Sequence, residues 1–225
     1  MELCALNAQN CARYWRKPGS WQRDCRDPRK EGFKVFGTGG TIGNADLPDS
    51  IVRLPCDHTR DDETAAVFAK SCRGGGRPRP ACQFGVGRLR RNDRERHLHM
   101  DLPFWEQPTH RWTSMMDAGV SAAFVNSSFA AKMMVPRHRA LIVNLSYWAS
   151  QKHTGNVIYG VAKAGTDKMT SDMAEELQPL GVARPCLYPG RVRTEAVMAA
   201  APAGWLDLSN SEESRVRGSR NCGPC

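Results

Sequence analysis

Long apolar runs are missing from this 225-residue chain. No stretch approaches the roughly 18 residues that a membrane-crossing helix needs, and the opening MELCALNAQNCARYWRKPG lacks the basic-then-apolar order of a secretory signal. The expectation is a cytoplasmic protein without a membrane partner. Tyrosine is scarce, at four residues, and no internal repeat is present. No zinc-like spacing joins His97 and His99 to Cys82. CGPC, Cys222 to Cys225, copies a thioredoxin-like redox pair, but no strand precedes it and no helix follows it.

What is present in quantity is cysteine, nine residues, and positive charge, +9 net. Either would suggest a class, a disulfide scaffold or a nucleic-acid binder, if it were spread evenly. Neither is. Lys and Arg outnumber Asp and Glu by 19 to 12 in residues 1–100, but stand at 10 to 11 in residues 101–213. That later region also holds only Cys186 of the cysteines. The basic segment RLRRNDRER offers phosphate contacts but has few interleaved aromatics and no accompanying binding motif, so nucleic acid is not expected as a partner.

Between Leu102 and Leu208 the local signals agree with one another. Trp112, Met115, Met116, Val120, Ala123, Phe124, Ser127 and Ala131 recur at helical steps and predict one long helix with a core face, over about 104–134. ALIVNLS follows as a short buried parallel strand. NVIYGVAKAGTDKMTSDMAEELQPLG returns to helical period over 157–178, with Ala162, Met169, Met173 and Leu177 inward, and stops at Pro179 and Gly181. VARPCLYPG reads as another strand, although Pro185 is awkward inside one. Upstream, SIVRLPCDHT reads as a strand ending at Asp57, followed by a short helix. The alternation predicts an α/β Rossmann-like doubly wound parallel sheet in one domain spanning 51–208. Residues 1–50 read as an irregular segment in place of a first βαβ unit, and 209–225 as an irregular tail.

Tyr159 and Lys163 lie one turn apart on a helix face. A protonated Lys beside a phenol favours the phenolate, which lowers a pKa that starts near 10. The spacing also arises by chance. Three further matches accompany it: Ser146 at the end of LIVNLS, PGRVRT after the next strand, and Asp57 at the end of an earlier one. All fall where open α/β sheets bind ligands.

Together these residues resemble the short-chain dehydrogenase/reductase family, over 102–208 and partly over 51–70. LPFWEQP, MMVP and YGVAKAGTDKM are similar to one branch of it. The resemblance implies an NAD- or NADP-dependent oxidoreductase acting on a small carbonyl or alcohol substrate. It makes Tyr159 the general acid/base, Lys163 its tuner and a ribose ligand, and Ser146 the hydroxyl that polarises the carbonyl. Asn144, Pro189, Gly190, Val192 and Thr194 would join Tyr159 and Lys163 around the cofactor, with Asp57 at the adenine end. It further implies a homodimer or homotetramer built on the two long helices. Plainer roles stay open: Ser146 finishing a strand, Asp57 capping a helix, Pro189-Gly190 forming a turn. A relay Asn used elsewhere in the family would fall at Gly119.

The glycine loop such a fold needs after its first strand is not legible. TGGTIGNA, Thr38 to Ala45, looks like one, but only thirteen residues separate Gly43 from Asp57, too few for the intervening elements. RGGGRPRPACQFGVGRLRRNDRER has the composition of a GC-rich gene read out of phase. Shifting the codons of Arg77 to Arg90 by one nucleotide permits an apolar strand followed by an Asn and a Gly-Gly turn. The same shift from Glu213 permits an amphipathic helix. The N-terminal, 74–96 and C-terminal segments therefore read as frameshifted, and an alternative to the enzyme is a catalytically defective scaffold of the same fold.

Overall fold

The computed structural model describes residues 2–7, 33–40, 42–44, 49–72, 83–85, 102–138, 140–154 and 156–188. Strands β1 (Glu2–Asn7) and β2 (Phe33–Gly39) pair in parallel from Glu2↔Phe33 to Asn7↔Thr38. Residues 1–50 thus hold two strands that their own sequence pattern does not announce. Pairing within a sheet supplies order that local propensity lacks. β3 (Ile51–Pro55) lies beside β2 and ends before Asp57, not at it. Thr38 and Gly39 of TGGTIGNA end β2, and its Ile42–Asn44 make a 3-10 turn in the β2-to-β3 connection.

Helix α1 (Asp61–Cys72) opens with Asp61, Asp62 and Glu63, which suit the positive end of its dipole. β4 (Gln83–Gly85) pairs with β1. Next, α2 (His110–Met115), a π-helical segment (Met116–Ser121) and α3 (Ala122–Met134) follow one another without a break. The rod starts at His110, not near 104, because Pro103 and Pro108 hold the preceding residues in turns: Glu106 N–H donates to the Pro103 carbonyl and Arg111 N–H to that of Pro108, both at 3.0 Å.

The π-helical segment also breaks the 3.6-residue phase on which the expected core face depended. Trp112 and Phe124, expected inward, are 46% and 54% exposed. Met115, Ala123 and Ser127 are buried as expected, and Ala122, Ala130 and Met134 join them in the core.

β5 (Ala140–Leu141) and β6 (Val143–Leu145) come next, then α4 (Val157–Leu177), β7 (Val182–Ala183) and β8 (Cys186–Leu187). The main sheet has the order β3-β2-β1-β4-β6-β8 with parallel pairings, and β5 pairs with β7. This is the α/β parallel architecture that the alternation predicts. Pro185 explains why two expected strands become four short ones. Ladder bonds continue from Ile142 N–H to the Ala183 carbonyl at 2.9 Å and from Asn144 N–H to the Pro185 carbonyl at 3.3 Å. The reciprocal bond to the Ile142 carbonyl would need an N–H at residue 185, which proline lacks. Among the described residues β8 ends the sheet order, where a proline does least harm.

The core joins Phe36 of β2, Phe68 of α1, Ala130 and Met134 of α3, Ala140 of β5, Ile142 between β5 and β6, Val182 of β7, and Leu177 of α4. Each large side chain so buried contributes ~1.5–3 kcal/mol. On α4, Ala162 and Leu177 face inward as expected, while Met169 and Met173 are only half-buried. Thr166 and Thr170 fill that face, their hydroxyls bonded to the carbonyls of Ala162 and Thr166. After α4 the chain turns at Gly181, with φ of 72°, where a Cβ would come within 2.1 Å of the His138 carbonyl oxygen. No described helix is long and apolar enough to cross a membrane.

Candidate active site

The site is built at the start of α4. Asn156, in extended backbone, caps the helix by accepting from Tyr159 N–H at 2.8 Å. Its Nδ2 donates to Gln107 Oε1 at 3.2 Å, and Gln107 Nε2 donates to the Leu102 carbonyl at 2.9 Å. The LPFWEQP turn therefore fixes where α4 begins, and with it the direction of Tyr159. Sequence reading missed both residues. An Asn immediately before an apolar-periodic run was the signal available for the cap.

One turn on, Lys163 Nζ lies 5.5 Å from the centroid of the Tyr159 ring and donates to the Leu145 carbonyl at 3.3 Å. Ser146 Oγ donates in turn to the Lys163 carbonyl at 3.2 Å. Leu145 and Ser146, at the carboxyl end of β6, thus clasp Lys163 at both its side chain and its backbone. Tyr147 places its ring 6.2 Å from that of Tyr159. The three residues singled out as catalytic are linked here through Lys163.

Their electrostatics differ from the expectation. Burial, and then Tyr147, push the Tyr159 phenol above its ordinary value, where the sequence argument had Lys163 lowering it. Lys163 is itself pulled down to about 8 by burial, against the opposing influence of Cys186 and Asp167. Desolvation is the largest cause of both shifts. Near neutral pH the phenol keeps its proton and can donate it.

Other sequence candidates are placed differently. Asn144 is fully buried, and its Nδ2 donates to Thr170 Oγ1 at 2.9 Å, which ties β6 to α4; its Oδ1 has no partner among the described residues. Asp57 accepts from the Thr59 N–H and hydroxyl at 3.1 and 2.7 Å, a turn role close to its plainer reading. Gly119 falls within the π-helical segment. Pro189, Gly190, Val192 and Thr194 lie outside the described residues, as do CGPC and the basic RLRRNDRER segment.

Beside Asp57, a half-buried His58 meets Thr38 Oγ1 through Nε2 at 2.8 Å and Asn126 Nδ2 through Nδ1 at 3.1 Å. Since an amide NH2 only donates, Nδ1 accepts and Nε2 carries the proton. Burial lowers the His58 pKa, consistent with that neutral ring. No metal-binding group of three or more His, Cys, Asp or Glu is found among the described residues.

Residues 98–203 match the short chain dehydrogenase family. That match covers a little under half of the 225 residues and is a likeness of this region to the family. The matched region takes in the clasp, both of its helices and the strands between them. Dehydrogenase/reductase SDR family member 1 of Mus musculus is 39% identical over 94 residues, which make up 42% of this chain. That match spans only 30% of the mouse protein's length. A metagenomic short-chain oxidoreductase solved in complex with NADP superposes with a TM-score of 0.63 at 18% identity, covering 90% of this chain and 89% of that one. A short chain dehydrogenase from Leptospira borgpetersenii with bound NAD+ gives 0.63 at 13% identity, covering 88% and 75%. At such identities the likeness to the solved structures is one of fold.

Proposed function

We propose that this chain is an NAD(P)-dependent oxidoreductase of the short-chain dehydrogenase/reductase type that interconverts a small carbonyl compound and its alcohol, with Tyr159 as proton donor, Lys163 as its partner and Ser146 as the hydroxyl that holds the substrate oxygen. The observation that carries this reading is the clasp of Lys163 by Leu145 and Ser146, with the ammonium over the Tyr159 ring. The Tyr159 phenol carries the proton that a forming alkoxide would take, and a positive charge beside it would have to offset the effect of burial to bring it toward working pH. The Ser146 hydroxyl can rotate to offer its hydrogen to that oxygen.

The donor set fits the nicotinamide-ribose end of a dinucleotide. Lys163 and Tyr159 offer an amine and a phenol at the carboxyl edge of the sheet, and the strand order reverses between β1 and β4, where open α/β sheets take ligands. The pyrophosphate cradle of this reading falls on the β1–β2 connection, residues 8–32, outside the described residues. When bound, the coenzyme supplies or accepts the hydride. The chain's part is the proton and the orientation of the substrate oxygen. The same proposal includes a cytoplasmic location, a homodimer or homotetramer through α2–α3 and α4, and no nucleic-acid partner.

The experiment is turnover and cofactor titration of the full chain and of Tyr159→Phe, with NADPH and NADH followed by tryptophan fluorescence. Cofactor affinity nearly intact with most turnover gone supports the assignment. Unchanged turnover counts against it. A second reading, a scaffold that no longer holds cofactor, is favoured by residues 8–32, whose only glycines are Gly19 and Gly32. Silence with both nucleotides would select it.

A further inference from the structure

At the far end of α4 from Tyr159, a cleft of about 490 Å³ opens between α3 and α4. Its walls are mostly apolar, from Phe124, Ala131, Val135, Met173 and Leu177. That volume lies within the ~300–1,000 Å³ common for small-molecule sites. Met173 to Leu177 stand ten to fourteen residues beyond Lys163, which at ~1.5 Å per residue places the cleft some 15–21 Å along the helix. It is therefore separate from the clasp.

One group in this cleft is out of keeping with its walls. Arg184, on the strand edge between β7 and β8, is 7% exposed and lines the cleft. Its Nη2 donates to Ser127 Oγ at 3.3 Å, a long bond to a neutral hydroxyl that is itself fully buried. Its Nε has no acceptor among the described residues. No carboxylate is paired with it there, and burial alone accounts for the fall of its pKa to about 10. A guanidinium withdrawn from water without an anion is costly, and a bound anion relieves that cost. Lys132 and Glu176, both exposed, also line the cleft and offset each other's charge. The net charge of the lining is that of Arg184.

We propose that this cleft binds an amphipathic carboxylate, its head group on the Arg184 guanidinium and Ser127 and its acyl chain along Phe124, Ala131, Met173 and Leu177. The head group is set by the cation and the tail by the walls. The site takes a small molecule of medium chain length, does not depend on the proposed dehydrogenase chemistry, and competes with the proposed association of copies wherever that contact uses the same faces of α3 and α4.

The test titrates the full chain by calorimetry with sodium decanoate, below the concentration at which decanoate self-associates, against 1-decanol and acetate. Saturable decanoate binding, at least about tenfold tighter than either comparator, is expected from one charge-assisted contact plus the apolar burial. Arg184→Met keeps the volume and removes the charge, so decanoate should fall to the level of decanol. Ala131→Phe retains Arg184 and fills the cleft, so it should abolish binding of both; with circular dichroism it guards against reading a folding defect as lost affinity. Absent saturation, acetate binding as tightly as decanoate, or decanoate affinity unchanged in Arg184→Met would each overturn the proposal. So would an Arg184→Met variant that changes sedimentation but not decanoate binding, since the guanidinium would then serve contact between copies.

Discussion

Each end of α4 has a cation withdrawn from water beside it, half-buried Lys163 at one and buried Arg184 at the other, and the two differ in what that does to them. Lys163, near the amino end, falls to about 8, within reach of ordinary working pH. Arg184, packed against the carboxyl end, falls to about 10 and stays charged under the same conditions. The amine meets a backbone carbonyl and a phenol; the guanidinium meets one hydroxyl. The same desolvation therefore creates a group able to exchange charge at one end and a fixed positive centre at the other. The first suits proton chemistry and the second suits holding an anion.

The largest effect expected from breaking this pairing is at the first end. Tyr159→Phe removes the only hydroxyl proposed to deliver a proton and should cut turnover roughly 100- to 10,000-fold. Decanoate titration at the far cleft should be unaffected, which separates the two ends within one variant. Gly181→Ala tests the other end's backbone. A Cβ there has to displace the His138 carbonyl and sit at positive φ, so about 1–3 kcal/mol of stability should be lost in chemical denaturation. Turnover per folded molecule should not change.

Lys163 supplies a test in pH. Its folded pKa lies below the unfolded value of 10.5, so between about 8 and 10.5 the unfolded chain binds the extra proton. Stability should therefore rise with pH across that window as this destabilising term is withdrawn, and the term is present in full below about 8. Lys163→Met should flatten the rise measured by denaturation at stepped pH. An identical slope in the variant would show that Lys163 is not the group responsible.

How much of this was legible beforehand follows from where local pattern and tertiary pairing coincide. ALIVNLS, the helix at 157–177 and the stop at Gly181 carry their own signals, and the structure places them there. The placement of Ser146 just beyond a strand end and of Tyr159 and Lys163 one turn apart was legible because local geometry fixes both, while the roles proposed for them came from the resemblance. β1 and β2 were not, because their order comes from pairing with each other and with β3 and β4. Trp112 and Phe124 were misplaced because a π-helical segment leaves no mark in a period-3.6 pattern. Pro185 read as an obstacle to a strand and proved to be one missing rung at a sheet edge. Arg184 carried no signal at all, since a lone Arg in a strand gives no hint that its partner is a single serine.

The smallest effect, and the one that most sharpens the contrast between the ends, concerns Asn156. Its side chain satisfies one of the orphan N–H groups of α4 and ties the helix to Gln107, so Asn156→Ala should cost about 1 kcal/mol in denaturation. The N–H it leaves unpaired belongs to Tyr159, and the first turn should fray there while the helix near Leu177 remains packed. Turnover should then fall more than stability does, with decanoate binding unchanged. Asn156→Asp restores an acceptor at the cap but cannot donate to Gln107, so it should recover the helix more than the chemistry. Equal recovery of both would mean that the cap alone orients the phenol and that the Gln107 contact contributes nothing to it.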